Sequence, residues 1–230
     1  FPDGNPCGKL RLAELKCETF AGFIWVNMDT DCGPLKDYLG PIWDEWQARE
    51  VDTWQRTMAN TMWLPCNWKV VLDNFNESYH VPTVHMGATL QQSKRALGPD
   101  KGYSHYAAVP DEQLTDAFHY TLFPNFAVSL WADGFHFLRA RPHPADPEQC
   151  LFDNWWYASP ASVAAELDDG TSATESLTGD SSGDVPVKWL TCGEDSIGPA
   201  IEDDVAVFIT QQRGVRSRGF KGAYLSGQEK

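Results

Sequence analysis

A chain of 230 residues is long enough for one domain with a sizeable core, or for two small ones. Its apolar share of 42%, with 13% aromatic residues and ten tryptophans, suits a globular protein whose large rings build a core or line an apolar pocket. A net charge of −14 argues against nucleic acid or an anionic membrane surface as partner, and no run of about 18 apolar residues is present to span a bilayer.

The chain opens Phe1-Pro2-Asp3, with neither Met nor a charged-then-apolar leader, as a fragment or a processed chain would. Cys7, Cys17, Cys32, Cys66, Cys150 and Cys192 lie far apart and form no C-x-x-C pair. That usage predicts reduced thiols in a cytoplasm rather than a disulfide framework. Leu10–Glu18 and Phe20–Met28 read as two strands, the second strongly apolar. After Gly33-Pro34, Leu35–Glu50 reads as a helix with an aromatic face of Tyr38, Trp43 and Trp46. Val51–Leu64 alternates enough for a strand. Asn67–Tyr79 has helical spacing, with Trp68, Val71, Leu72, Phe75 and Tyr79 on one stripe.

Further along, Gly102–Val109, Tyr120–Trp131 (with Pro124-Asn125 inside), Phe135–Arg141 and Cys150–Ser159 read as strands. Several strands with helices inserted rather than alternating predict an antiparallel sheet in an α+β fold. Pro160–Pro186 carries acids, Ser, Thr and Gly but no Lys or Arg, and predicts an exposed, mobile acidic loop. Pro199–Gly214 reads as a helix, with Glu202, Asp203 and Asp204 in a first turn where acids complement the dipole, and Gly214 at its end. No internal repeat is visible.

Chemistry concentrates in the run NWKVVLDNFNESYHVPTVH, residues 67–85. His80 and His85 lie five apart, with Glu77 three residues before the first. On a straight helix, side chains five apart diverge by about 140°. Pro82 removes a backbone donor and pushes Val81 from helical angles, so the helix should bend or break after His80 and let the rings converge. The bland alternative is one core histidine and one at a helix end. A zinc hydrolase would show H-E-x-x-H, a structural zinc site closely spaced cysteines, and a di-iron bundle a second Glu-x-x-His; none is present. Two histidines and a distant carboxylate remain, the facial triad of non-haem Fe(II) oxygenases. The carboxylate should come from Glu202, Asp203 or Asp204, all of which could equally be helix-start acids. Asp204 borders the apolar stripe of Ile201, Val205, Phe208 and Ile209 and is the better candidate, with Asp203 the fallback.

The same run resembles the signature of the catalytic domain of Rieske-type non-haem iron ring-hydroxylating oxygenases, α subunit, through Asn67, Trp68, Lys69, Asn74, Phe75, Glu77, Tyr79, His80 and His85. FAGFIWVNMDTDCGPLKDYLGP, TLFPNFAVS and DDVAVFITQQRGVRSRGF resemble other stretches of that family, and Asp204 stands ten residues before Gly214 as its acid does. The resemblance implies a helix-grip α+β fold: a curved antiparallel sheet wrapped around a long helix, with an internal cavity. It implies mononuclear Fe(2+) held by His80, His85 and Asp204, and Glu77 as the link to a [2Fe–2S] Rieske cluster of a neighbouring subunit. Asp73, Asn74 and Val81 match positions near the substrate pocket. The implied reaction is hydroxylation of an aromatic or other apolar substrate with O2. Electrons would come from NAD(P)H through a ferredoxin or reductase and the cluster, in a homotrimer or α3β3 assembly.

The chain departs from the pattern in one respect. None of its cysteines has a His two or three residues later, so the Cys-x-His and Cys-x-x-His pairs of a Rieske domain are missing. Residues 1–230 therefore read as the excised C-terminal catalytic domain, inactive without its Rieske domain. The competing reading is a non-catalytic apolar-ligand-binding protein on the same helix-grip scaffold.

Overall fold

The computed structural model describes residues 2, 4–5, 7–8, 10–77, 80–85, 90–98, 101–108, 117–168 and 185–222. The chain forms two units, Phe1–Thr53 and Trp54–Lys230.

In the first unit, β1 (Lys16–Phe20) and β2 (Phe23–Asn27) make an antiparallel hairpin with Phe20 opposite Phe23. Its two turn residues, Ala21 and Gly22, both have positive φ (54° and 78°), the turn geometry that follows the natural strand twist. The strands are shorter than the sequence predicts, because this tight turn opposes only five residues on each side. The helix predicted over Leu35–Glu50 is two helices, α1 (Leu35–Leu39) and α2 (Pro41–Ala48). Gly40 divides them at φ 55°, ψ −126°, a conformation a side chain would strain, and Pro41 starts α2 where a missing N–H costs nothing. The ring of Trp43 stacks on Phe20 at 3.7 Å, and Trp46 is buried. Val51–Thr53, predicted as strand, is a 3-10 turn in which both the N–H and hydroxyl of Thr53 bond the Glu50 carbonyl.

The second unit begins with β3 (Gln55–Leu64), followed by α3 (Trp68–Phe75) and α4 (Val81–Val84). Six strands follow: β4 (Leu90–Gly98), β5 (Lys101–Ala108), β6 (Ala117–Leu122), β7 (Phe126–Leu130), β8 (Gly134–Pro142) and β9 (Cys150–Ala158). Then come α5 (Pro160–Asp168), β10 (Lys188–Leu190) and α6 (Pro199–Val215). The strands form one sheet in the order β10-β3-β9-β8-β7-β6-β5-β4, antiparallel throughout except where β10 runs parallel to β3. The strand predicted over Tyr120–Trp131 is two, β6 and β7, because the chain reverses at Phe123–Asn125, where Pro124 has no N–H for a ladder. The predicted acidic loop starts instead as α5; its residues 169–184 lie outside the described residues, as does Val109 of the predicted strand Gly102–Val109.

The unit is α+β, with α3 and α6 packed on one face of the sheet. Val71 and Phe75 of α3, Ile201, Val205 and Phe208 of α6, and Met62, Leu138 and Phe152 of the strands share that core. Phe75, Phe152 and Phe208 meet at centroid distances of 5.6–6.2 Å, so one aromatic trio joins both helices to β9. Burying each such ring stabilises by roughly 1.5–3 kcal/mol. On the opposite face, the fully buried carboxylate of Asp153 accepts from Thr61 Oγ1 (2.9 Å), Arg139 Nε (2.9 Å) and Arg141 Nη2 (3.0 Å). Those donors from two flanking strands offset the cost of burying the charge. The first position of β8 has room only for glycine, because a Cβ at Gly134 would stand 2.1 Å from Trp156 Cζ2 and 2.7 Å from the Tyr157 carbonyl oxygen. Among the described residues no helix is long and apolar enough to cross a membrane.

Candidate metal centre

The site sits where α3, α4 and α6 meet. Asn67 starts α3: its Oδ1 accepts from the Lys69 N–H at 2.9 Å, a standard helix cap. Its own N–H donates to Gln212 Oε1 of α6 at 2.8 Å, which fixes the two helices to each other. The sequence predicts a helix running to Tyr79. In the structure α3 ends at Phe75, and Tyr79 lies outside the described residues. The expected bend at Pro82 is therefore not a bend of α3. Pro82 lies in the first turn of a separate short helix, α4, which His80 precedes and His85 follows. Proline is favoured there because the first turn of a helix has no partner for its N–H. The two histidines thus stand at opposite ends of a single helical turn, their rings 5.4 Å apart and 70° inclined.

Asp204, on α6, projects between them. It is 4% exposed, whereas the side chain of its neighbour Asp203 is 56% exposed. Asp204 Oδ1 lies 3.2 Å from His85 Nε2 and 3.4 Å from His80 Nε2. The same oxygen accepts from Asn74 Nδ2 at 2.9 Å. One ligand atom from each of His80, His85 and Asp204 falls within 4.8 Å of the other two. Glu77 stands behind His80: its carboxylate bonds His80 Nδ1 and accepts from the His80 N–H at 3.1 Å. Asp203 Oδ2 lies 3.8 Å from His85 Nδ1.

Of the residues matched to a pocket, Asn74 is fully buried against Asp204, Val81 is half-buried in the first turn of α4, and Asp73 is exposed on α3. Sequence reasoning did not reach His119 of β6. It is buried beside the Phe75 ring, with Nδ1 2.7 Å from Ser129 Oγ. A single His on a strand carries no spacing signal that could have found it.

The charges follow from this arrangement. Burial works to lower the pKa of His80, but its bonds to Asp204 and Glu77 win and push it up to about 9. For His119 burial wins, and the imidazole is pushed down to about 4. In a metal-free chain a proton on His80 therefore answers the clustered carboxylates, while His119 stays neutral.

The donor set fits a first-row metal ion. Two imidazole nitrogens and one carboxylate oxygen are the ligands of a non-haem iron facial triad. Two donors each about 2.1 Å from one ion, at right angles, lie about 3 Å apart. Both Nε2–Oδ1 separations, 3.2 and 3.4 Å, are close to that value. The Glu77 carboxylate on His80 Nδ1 leaves Nε2 free to donate.

Known proteins share this architecture. The carnitine monooxygenase oxygenase subunit of Escherichia coli (strain K12) is 31% identical over 81 residues, which cover 34% of this chain and 22% of that protein. The crystal structure of the apo form of a quaternary ammonium Rieske monooxygenase superposes with a TM-score of 0.61 at 17% identity, over 90% of this chain and 51% of the other. Naphthalene 1,2-dioxygenase from Rhodococcus sp. superposes with a TM-score of 0.59 at 16% identity, over 88% and 55%. The chain spans about half the length of these solved relatives, and the likeness to them is one of fold. The family model for the ring hydroxylating alpha subunit, catalytic domain, matches residues 51–101 and 86–230. With that match over most of its length, the chain belongs to the ring hydroxylating alpha subunit family, as a Rieske oxygenase catalytic domain.

Proposed function

We propose that this chain is the oxygen-activating domain of a Rieske oxygenase, with His80, His85 and Asp204 holding one Fe(II). The observation that carries this reading is the convergence of those three donors, with both Nε2–Oδ1 separations close to what a shared ion would set. When bound, the iron supplies a centre at which O2 is reduced and oxygen inserted into an organic substrate. The chain's own residues set the geometry. His80, His85 and Asp204 would hold the ion from one side and so leave its other positions for O2 and substrate. Glu77 fixes the tautomer of His80 and is the contact through which a Rieske cluster outside these 230 residues would deliver electrons, drawn from NAD(P)H by way of a ferredoxin or reductase. Asn74 holds the Asp204 carboxylate toward the histidines. The sheet with α6 against it is compatible with a helix-grip fold, and the full-length protein would assemble as a homotrimer or α3β3 complex.

For the substrate, the reading is an aromatic or other apolar molecule, in keeping with the 13% aromatic content and with the naphthalene dioxygenase fold. The likeness to carnitine monooxygenase supports a quaternary ammonium compound as a second reading. Anaerobic loading with Fe(II) should give about one iron per chain, and a His80→Ala, His85→Ala double variant should give none. Full iron content in that variant would refute the reading. Calorimetric titration of the loaded chain with naphthalene and with carnitine separates the two substrate classes.

A further inference from the structure

Each imidazole of the pair has two nitrogens, and only one of each faces Asp204. The second nitrogen of His80 is bonded to Glu77. The second nitrogen of His85, Nδ1, is buried and makes no hydrogen bond to any described residue. Asp203 and Asp204 are consecutive on α6 and so project about 100° apart. They bracket the His85 ring: Asp204 Oδ1 is 3.2 Å from Nε2, and Asp203 Oδ2 is 3.8 Å from Nδ1. At 56% exposure the Asp203 side chain has room to move. A shift of about 1 Å brings its carboxylate to charge-assisted hydrogen-bond distance.

A neutral histidine that donates Nε2 to a metal carries its proton on Nδ1, and that N–H needs an acceptor. We infer that Asp203 is the positioning residue of His85: its carboxylate accepts the Nδ1–H, fixes the tautomer and aims Nε2 at the metal. The inference rests on the metal reading proposed above. It gives Asp203 a role other than that of alternative ligand, and it makes the two histidines equivalent. Each is backed by a carboxylate, His80 by Glu77 from its own loop and His85 by Asp203 from α6. The competing account is that Asp203 is a solvated helix-start acid with no bearing on the site.

The test is Co(II) titration of the full 230-residue chain, as wild type and as Asp203→Ala, Asp203→Asn and Glu202→Gln. Asp203→Ala should weaken Co(II) binding roughly 10- to 100-fold, and Asp203→Asn less, because its amide oxygen still accepts. Glu202→Gln, which removes an equal charge from the next residue, should stay within about threefold of wild type. Proton NMR of the Co(II)-loaded chain gives a readout that lost stability would not mimic. Two exchangeable, metal-shifted imidazole N–H signals are expected in wild type, and one of them should be lost to solvent exchange in Asp203→Ala. Binding by Asp203→Ala within about threefold of wild type, or retention of both signals, would overturn the inference while leaving the metal reading intact. Equal weakening in Glu202→Gln would overturn it in favour of charge alone. A wild-type chain that binds no Co(II) would overturn the metal reading, and this inference with it.

Discussion

Truncating Phe208 to alanine tests whether the packing beneath the site holds it together. Phe208 is 0% exposed and meets Phe75 at 5.6 Å and Phe152 at 6.0 Å, both edge-to-face. It lies one helical turn beyond Asp204 on α6, and Phe75 lies next to Asn74 on α3. Removing the ring forfeits its burial and leaves a cavity between two helices and a strand that cannot easily collapse, a loss of about 3–5 kcal/mol. In a unit of this size each kcal/mol lowers Tm by about 2–4 °C, so the midpoint should fall by roughly 6–20 °C. Phe208→Leu keeps much of the volume and should lose about 1.5 kcal/mol or less. Urea unfolding followed by tryptophan fluorescence measures both, and Co(II) affinity should fall in parallel for Phe208→Ala. If Phe208→Ala unfolded within about 1 kcal/mol of wild type at an unchanged slope, α6 would not be anchored by the aromatic trio, and the packing argument would fail.

Gly134→Ala should destabilise strongly, because its Cβ would enter both the Trp156 ring and the Tyr157 carbonyl; wild-type stability in urea would show that β8 shifts freely. Burial holds His119 at about 4 in the folded chain against an ordinary value of 6.5, so between those values the unfolded chain takes up more protons. The His119 contribution should therefore fall by roughly 2 kcal/mol from pH 7 to pH 5, partly offset by a gain of roughly 1 kcal/mol from His80, whose raised value favours the folded chain as pH drops, and His119→Asn should abolish the net fall. With His80 raised to about 9, a metal must displace its proton throughout the neutral range. Co(II) affinity should rise about tenfold per pH unit up to that point, with about one proton released per ion at pH 7.5, as calorimetry in buffers of different ionisation enthalpy would show. Binding without proton release would contradict the assigned charge on His80.

The meeting of His80, His85 and Asp204 was legible because each element of it has a local cause. Proline is at home only in the first turn of a helix, so a helix running on from Asn67 had to break before Pro82. On α6, Asp204 borders the apolar stripe of Ile201, Val205, Phe208 and Ile209, whereas Asp203 points away from it. How the break occurs was not legible. Nothing in the spacing shows that α3 stops at Phe75, because Tyr79 continues its stripe perfectly well. Three-dimensional packing decides that point, and Pro82 then begins α4. The order of the central strands depends on registers that single-sequence patterns do not encode. β4 and β10 went unread because LQQSKRALG is polar and KWL is only three residues long. Asn74 was matched to a pocket, but its amide bonds Asp204, a partner 130 residues away that no local pattern reveals.

The central claim is that one iron is held by two histidines of the α4 turn and one aspartate of α6. A crystal structure of the Fe(II)-loaded chain, with anomalous diffraction at the iron edge, tests it most directly. One iron peak is expected, with His80 Nε2, His85 Nε2 and an oxygen of Asp204 each about 2.0–2.3 Å away. A peak elsewhere, or iron at this site without Asp204 as a ligand, would contradict the claim.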